Sequence, residues 1–131
     1  MDDATLERVR RWLTKAENDL ETARRSLGTE PAITDTACFH AQQCAEKSLK
    51  AFIAFHGEHT PKSHDLSELL AICVKYAMDF MTLQDHANCL NDYAVTTRYP
   101  DDWREIPIEE AEAAVKSASE ILNFVRGKIV D

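Results

Sequence analysis

The stretch PIEEAEAAVKSASEILNFVRGKI (107–129) decides the fold. Its apolar residues Ile108, Ala111, Val115, Ala118, Leu122, Val125 and Ile129 recur at alternating spacings of three and four, which places them on one face of a helix. Pro107 stands where the first helical position is expected, and Glu109, Glu110 and Glu112 crowd the positive end of the helix dipole. Arg126 and Lys128 suit its negative end. The opposite end of the chain repeats the pattern. Leu6, Val9, Leu13, Ala16, Leu20, Ala23 and Leu27 follow the same three–four spacing, after Asp2 and Asp3 and before Arg24, Arg25 and the stop signal Gly28.

Between these seams the reading remains helical. A second helix is expected from Thr34 or Asp35, either able to cap it, to Phe55, with Ala37, Ala41, Cys44, Ala45, Leu49, Phe52 and Ile53 facing inward. Its other side carries Gln42, Gln43, Glu46, Lys47 and Lys50, with Glu46 and Lys50 at the favourable i, i+4 spacing for a surface pair. The clearest loop is HGEHTPKSH (56–64). A third helix is expected over 65–76, capped by Ser63, and a fourth over 82–96, ended by Arg98-Tyr99-Pro100 because a residue before proline is steered out of the helical region. No segment alternates with period two. The expected fold is all-α, an up-and-down antiparallel bundle of four to five helices in a single domain over residues 1–131.

Composition narrows the functional classes. Hydrophobic residues make up 44% and charged residues 29%, with seven glycines and prolines together, as in a soluble helical protein. No run is long and apolar enough for a membrane span, and the first residues, MDDATLERVRRW, lack the apolar core of a signal peptide, so a cytoplasmic location is expected. Cys38, Cys44, Cys73 and Cys89 contain no C-x-x-C pair and read as reduced core thiols. The net charge is −8; residues 76–112 hold nine acids against Arg98 and Arg104 alone, giving −7 in that segment. Such a segment repels a phosphate backbone, which argues against general nucleic-acid binding.

No phosphate-loop, dinucleotide-binding, nucleophilic-serine or helical zinc-hydrolase motif is present, and no cofactor is expected. His56, His59 and His64 lie in or beside one loop but lack a fourth ligand pattern, and His86 and Cys89 share a helix face without further partners, so no metal site is expected. A polar set remains: Glu46 and Lys50, then Ser63, His64 and Asp65, then Tyr93, Arg98 and Tyr99. One reading makes these caps and ion pairs. The other makes them the lining of a cleft in which Lys50 and Arg98 hold a phosphate and the tyrosines flank a base.

At these residues the chain resembles a known family. FHAQQCAEKSLKAFIAFHG (39–57), P-x-S-H-D-L-x-x-L-L (61–70), Y-x-x-x-x-R-Y-P (93–100) and EEAEAAVKSASEIL (109–122) together are similar to the prokaryotic HEPN domain. The resemblance implies a helical bundle, usually a homodimer, often paired with a minimal nucleotidyltransferase in a toxin–antitoxin-like unit. Some members of that family are metal-independent ribonucleases marked by an arginine followed four to six residues later by a histidine. Arg98 matches the arginine, but PDDWRE (100–105) holds Trp103 where the histidine is due, and no histidine follows Arg98. The resemblance therefore implies a non-catalytic or degenerate domain that binds a nucleotide, a nucleotidyltransferase partner or both. Its expected ligand-binding residues are Glu46, Lys50, His64, Asp65, Tyr93, Arg98 and Tyr99. The alternatives are a ribonuclease pairing Arg98 with His64, and a purely structural dimerisation module.

Overall fold

A computed structural model of the chain describes residues 1–96 and 100–129, the side chains at 95, 96 and 102 excepted. The elements, in order, are α1 (Asp3–Leu27), α2 (Thr34–Phe55), α3 (Leu66–Tyr76), a 3-10 segment (Met78–Leu83), α4 (Gln84–Leu90), the single turn α5 (Tyr93–Thr96), a short 3-10 turn (Pro100–Asp102) and α6 (Ile108–Lys128). All regular structure among the described residues is helical, as the periodicity predicts.

Helix α2 is the axis of the molecule. Fourteen of its 22 residues are buried, far more than a one-sided surface helix allows. Helix α1 runs antiparallel along it, tied at the turn by the Ile33 N–H donating to the Ser26 carbonyl at 2.8 Å. Helix α6 packs on another side of α2 and also touches α1, where Arg24 reaches Ser119 and Arg126 pairs with Glu17. Both framing seams are used inside the chain: Val9, Ala16, Leu20 and Ala23 from α1, and Ala111, Val115, Ala118, Leu122 and Val125 from α6, are buried. Ile108, at the start of the second seam, is exposed.

Several local expectations are corrected. The Asp2 carboxylate caps α1 by accepting the Thr5 N–H at 2.7 Å. Gly28 follows the helix at φ −86°, a right-handed conformation open to any residue, so its left-handed freedom is not what ends α1. Neither Thr34 nor Asp35 caps α2; both lie inside it, behind Ile33, which makes no side-chain cap bond. Pro107 flanks α6 in extended conformation (φ −61°, ψ 150°) instead of occupying its first position.

The expected fourth helix is divided. A 3-10 segment precedes α4, and the chain turns at Asn91 and Asp92 before α5. Asn91 ties this turn to the start of α3. Its Oδ1 accepts the Leu66 N–H at 2.8 Å and its Nδ2 donates to Asp65 Oδ1 at 3.0 Å, so the side chain serves the start of α3. Cys38, Cys44 and Cys73 are buried, but Cys89 is exposed because α4 turns its neighbours Ala87 and Leu90 to the core. Burial raises the thiol pKa of Cys38 to about 11 and those of Cys44 and Cys73 to about 12.

Candidate functional site

The second helix places Gln42, Glu46 and Lys50 at intervals of four, one above the other, and all three are buried. The sequence reads them as a solvated face. They are interior because α2 is enclosed on more than one side. Burial of charge requires partners, and the structure provides them. Glu46, with a side chain 4% exposed, accepts from Lys50 Nζ at 3.0 Å through one carboxylate oxygen. Its other oxygen bonds His64 Nδ1 at 2.9 Å. The Gln42 amide donates to the His64 carbonyl at 3.0 Å and receives a bond from Gln43 Nε2 at 2.7 Å. The loop after α2 is thereby fastened to the middle of α2 at a single residue, His64.

The two side chains held by Glu46 differ in access. Lys50 is 6% exposed, and its ammonium lies 5.6 Å from the centroid of the Trp12 ring. It is the buried counter-ion of Glu46. His64 is 67% exposed, with Nδ1 fixed by Glu46, which leaves Nε2 available to a ligand.

Asp65 sits beside this pair in a different role. It caps α3, accepting the Ser67 N–H at 2.9 Å as well as Asn91 Nδ2. These bonds, Asn91 first and the backbone N–H groups after it, hold its carboxyl below the usual aspartate value. Ser63, the expected cap, instead accepts the Asp65 N–H at 3.0 Å and donates to Glu68.

Tyr93 belongs to a separate cluster. Its hydroxyl donates to Glu110 Oε2 at 2.5 Å, and Arg104 grips the same carboxylate with both terminal nitrogens, at 3.1 and 2.5 Å. Burial first, and the Glu110 bond second, push the Tyr93 hydroxyl pKa well up; Arg104 and then Tyr93 hold Glu110 below its ordinary value. On α2 the neighbour of Tyr93 is Cys38. Eight residues separate Cys38 from Glu46, about 12 Å along the helix axis. The expected cleft residues therefore divide: Glu46, Lys50 and His64 meet, Asp65 adjoins them as a cap, and Tyr93 lies apart. Arg98 and Tyr99 lie outside the described residues.

The loop histidines do not converge either. His56 stacks on Tyr76 at 4.0 Å between centroids with its edge against Phe52, His59 is exposed, and His64 is held by Glu46. His86 bonds Ser117 Oγ at 2.9 Å. No cluster of three His, Cys, Asp or Glu able to hold a metal occurs among the described residues. The sequence reading passed over Gln42, Asn91, Arg104 and Glu110, and a second buried node in which Asp19 bonds His40 Nδ1 at 2.8 Å and Lys47 Nζ at 2.6 Å. The i, i+4, i+8 row of polar residues on α2 is the one sequence signal that pointed to this corner.

Comparison with known proteins identifies the family of the fold. The sequence matches the HEPN domain over residues 9–128. TT1696 from Thermus thermophilus is similar in structure with a TM-score of 0.78 and 36% identity, over 93% of this chain and 98% of that one. ST0689, described as an archaeal HEPN homologue, gives a TM-score of 0.73 and 32% identity over the same shares. Among curated proteins none matches. With the family matched along nearly the whole sequence and two full-length structural relatives above 30% identity, the chain belongs to the HEPN domain family.

Proposed function

We propose that this chain is a non-catalytic HEPN domain that binds a nucleotide at the corner between α2 and α3, alone or together with a minimal nucleotidyltransferase partner. One observation carries the reading: an exposed imidazole, His64, is locked by a buried carboxylate that is itself neutralised by a buried ammonium. Such preorganisation costs desolvation, and a ligand-contacting role for His64 accounts for it. The −7 segment at residues 76–112 disfavours a long polyanion more than a single nucleotide, because the repulsion grows with every phosphate brought near.

The test is the melting temperature of the purified chain with and without ATP, GTP, CTP or UTP. Ligand at a hundred times its dissociation constant stabilises by about 2.7 kcal/mol, so a shift of several degrees is expected, reduced by His64→Ala. No shift with any of the four overturns the reading in favour of a structural module.

A second reading has a specific observation in its favour. A carboxylate on Nδ1 that leaves Nε2 available is also how an acid–base histidine is oriented, so a ribonuclease pairing His64 with Arg98 is the alternative. This reading of the family also carries a homodimer, and the seams leave Ile108 exposed and Leu6, Leu13 and Leu27 half-buried. Met78 and Met81 are further exposed apolar residues.

A further inference from the structure

A groove of about 200 Å³ lies where the α1–α2 connection meets the stretch before α6, lined by Pro31, Ile33, Asp35, Trp103, Glu105 and the buried Ile106. Ile33 is 47% and Trp103 62% exposed. A lone exposed apolar side chain is ordinary, but these two are brought together from distant segments and rimmed by charge. The charge is negative. Arg104, the one cation among the described lining residues, is engaged by Glu110 through both terminal nitrogens. The Glu105 side chain makes no hydrogen bond or ion pair among the described residues. Asp35 uses a single carboxylate oxygen, which accepts the Thr36 N–H at 2.8 Å. Exposed Glu30, Asp101 and Glu109 continue the sign along the flanking sequence.

We propose that this groove docks a basic segment of a partner protein, which inserts one arginine between Ile33 and Trp103 and sets its guanidinium on Glu105 and Asp35. The lining selects that side chain. An arginine has an apolar stem for Pro31 and Ile33, a planar head that stacks on an indole, and a donor fork that matches a carboxylate. A neutral apolar anchor would desolvate Glu105 without pairing it, and an anion would be repelled. The volume lies below the roughly 300–1,000 Å³ of small-molecule sites and suits a single long side chain. The acids of residues 76–112 draw a basic segment toward this end of the molecule. The groove shares no residue with the α2–α3 corner, so the failure of either site leaves the other standing.

Fluorescein-labelled hexa-arginine, titrated with the purified chain and followed by anisotropy, tests the inference. At 0.15 M salt, attraction beyond about 8 Å is largely screened, which isolates contact from general charge. The expected result is saturable binding, weakened about tenfold or more by Trp103→Ala/Glu105→Gln and several-fold by Glu105→Gln alone. Hexalysine should bind several-fold more weakly, since an ammonium lacks the planar fork. Glu120→Gln removes one exposed charge on α6 outside the groove and should leave binding unchanged. Absent saturation, equal affinity for hexalysine, unchanged binding in the groove variants, or an equal loss in Glu120→Gln overturns the inference. A wild-type dimer in sedimentation that Trp103→Ala/Glu105→Gln splits into monomers places a second copy in the groove and also overturns it.

Discussion

Replacing Glu46 with methionine removes the one carboxylate that neutralises Lys50, and the energetic consequence follows from burial. With side chains 4% and 6% exposed, neither partner of the Glu46–Lys50 pair can recover its hydration by turning outward. Breaking a buried pair by deleting one member costs about 3–5 kcal/mol, since the other charge is left stranded. Lys50→Met should cost less, about 2–3 kcal/mol, because Glu46 keeps its bond to His64 at 2.9 Å and the methionine still packs against Trp12. The double variant strands no charge, so it should be more stable than the sum of the single losses by at least ~2 kcal/mol. Urea unfolding followed by helical circular dichroism measures all three. At a slope of about 2 kcal/mol per molar, the Glu46→Met midpoint should fall by roughly 2 M. Single losses below ~1 kcal/mol, or additivity within ~0.5 kcal/mol, would refute the interior ion pair.

Other consequences are as direct. In the native chain one thiol of four, Cys89, should react with an aromatic disulfide reagent at pH 8, and all four should react after unfolding, because the other three are buried with raised pKa values. Asp19→Asn should lower stability by about 2–3 kcal/mol in urea unfolding, since charge-assisted bonds to both His40 and Lys47 are weakened together at an 11% exposed side chain. Glu110 has a folded pKa below its ordinary 4.5, so its contribution is complete above that value and is lost as pH falls through the depressed folded value. The stability gap between wild type and Glu110→Gln, measured by unfolding at a series of pH values, should hold constant near neutrality and close in acid; a gap that widens in acid would contradict the assignment.

How much of this was legible depends on which physical signal a residue carries. The seams of α1 and α6 were readable because alanine, valine and leucine at three–four spacing have one stable use, the core. Glu46 and Lys50 were found as a pair but placed in solvent, since spacing along one helix says nothing about how many neighbours enclose it. The number of helices around α2 is a tertiary fact. The tie from Asn91 to the N-terminus of α3 was hidden for a related reason: it joins residues twenty-five apart. Lys50, read either as the partner of Glu46 or as a phosphate ligand, pairs with Glu46, and His64 is exposed.

The central claim, a HEPN domain that binds without cutting, is tested most directly by incubating single-stranded and hairpin RNA with the purified chain in chelator, beside Arg98→Ala and His64→Ala variants. The account predicts RNA that remains full-length in all three. Cleavage by the wild type that either substitution abolishes would contradict it, and a loss in His64→Ala would make His64 the acid–base candidate.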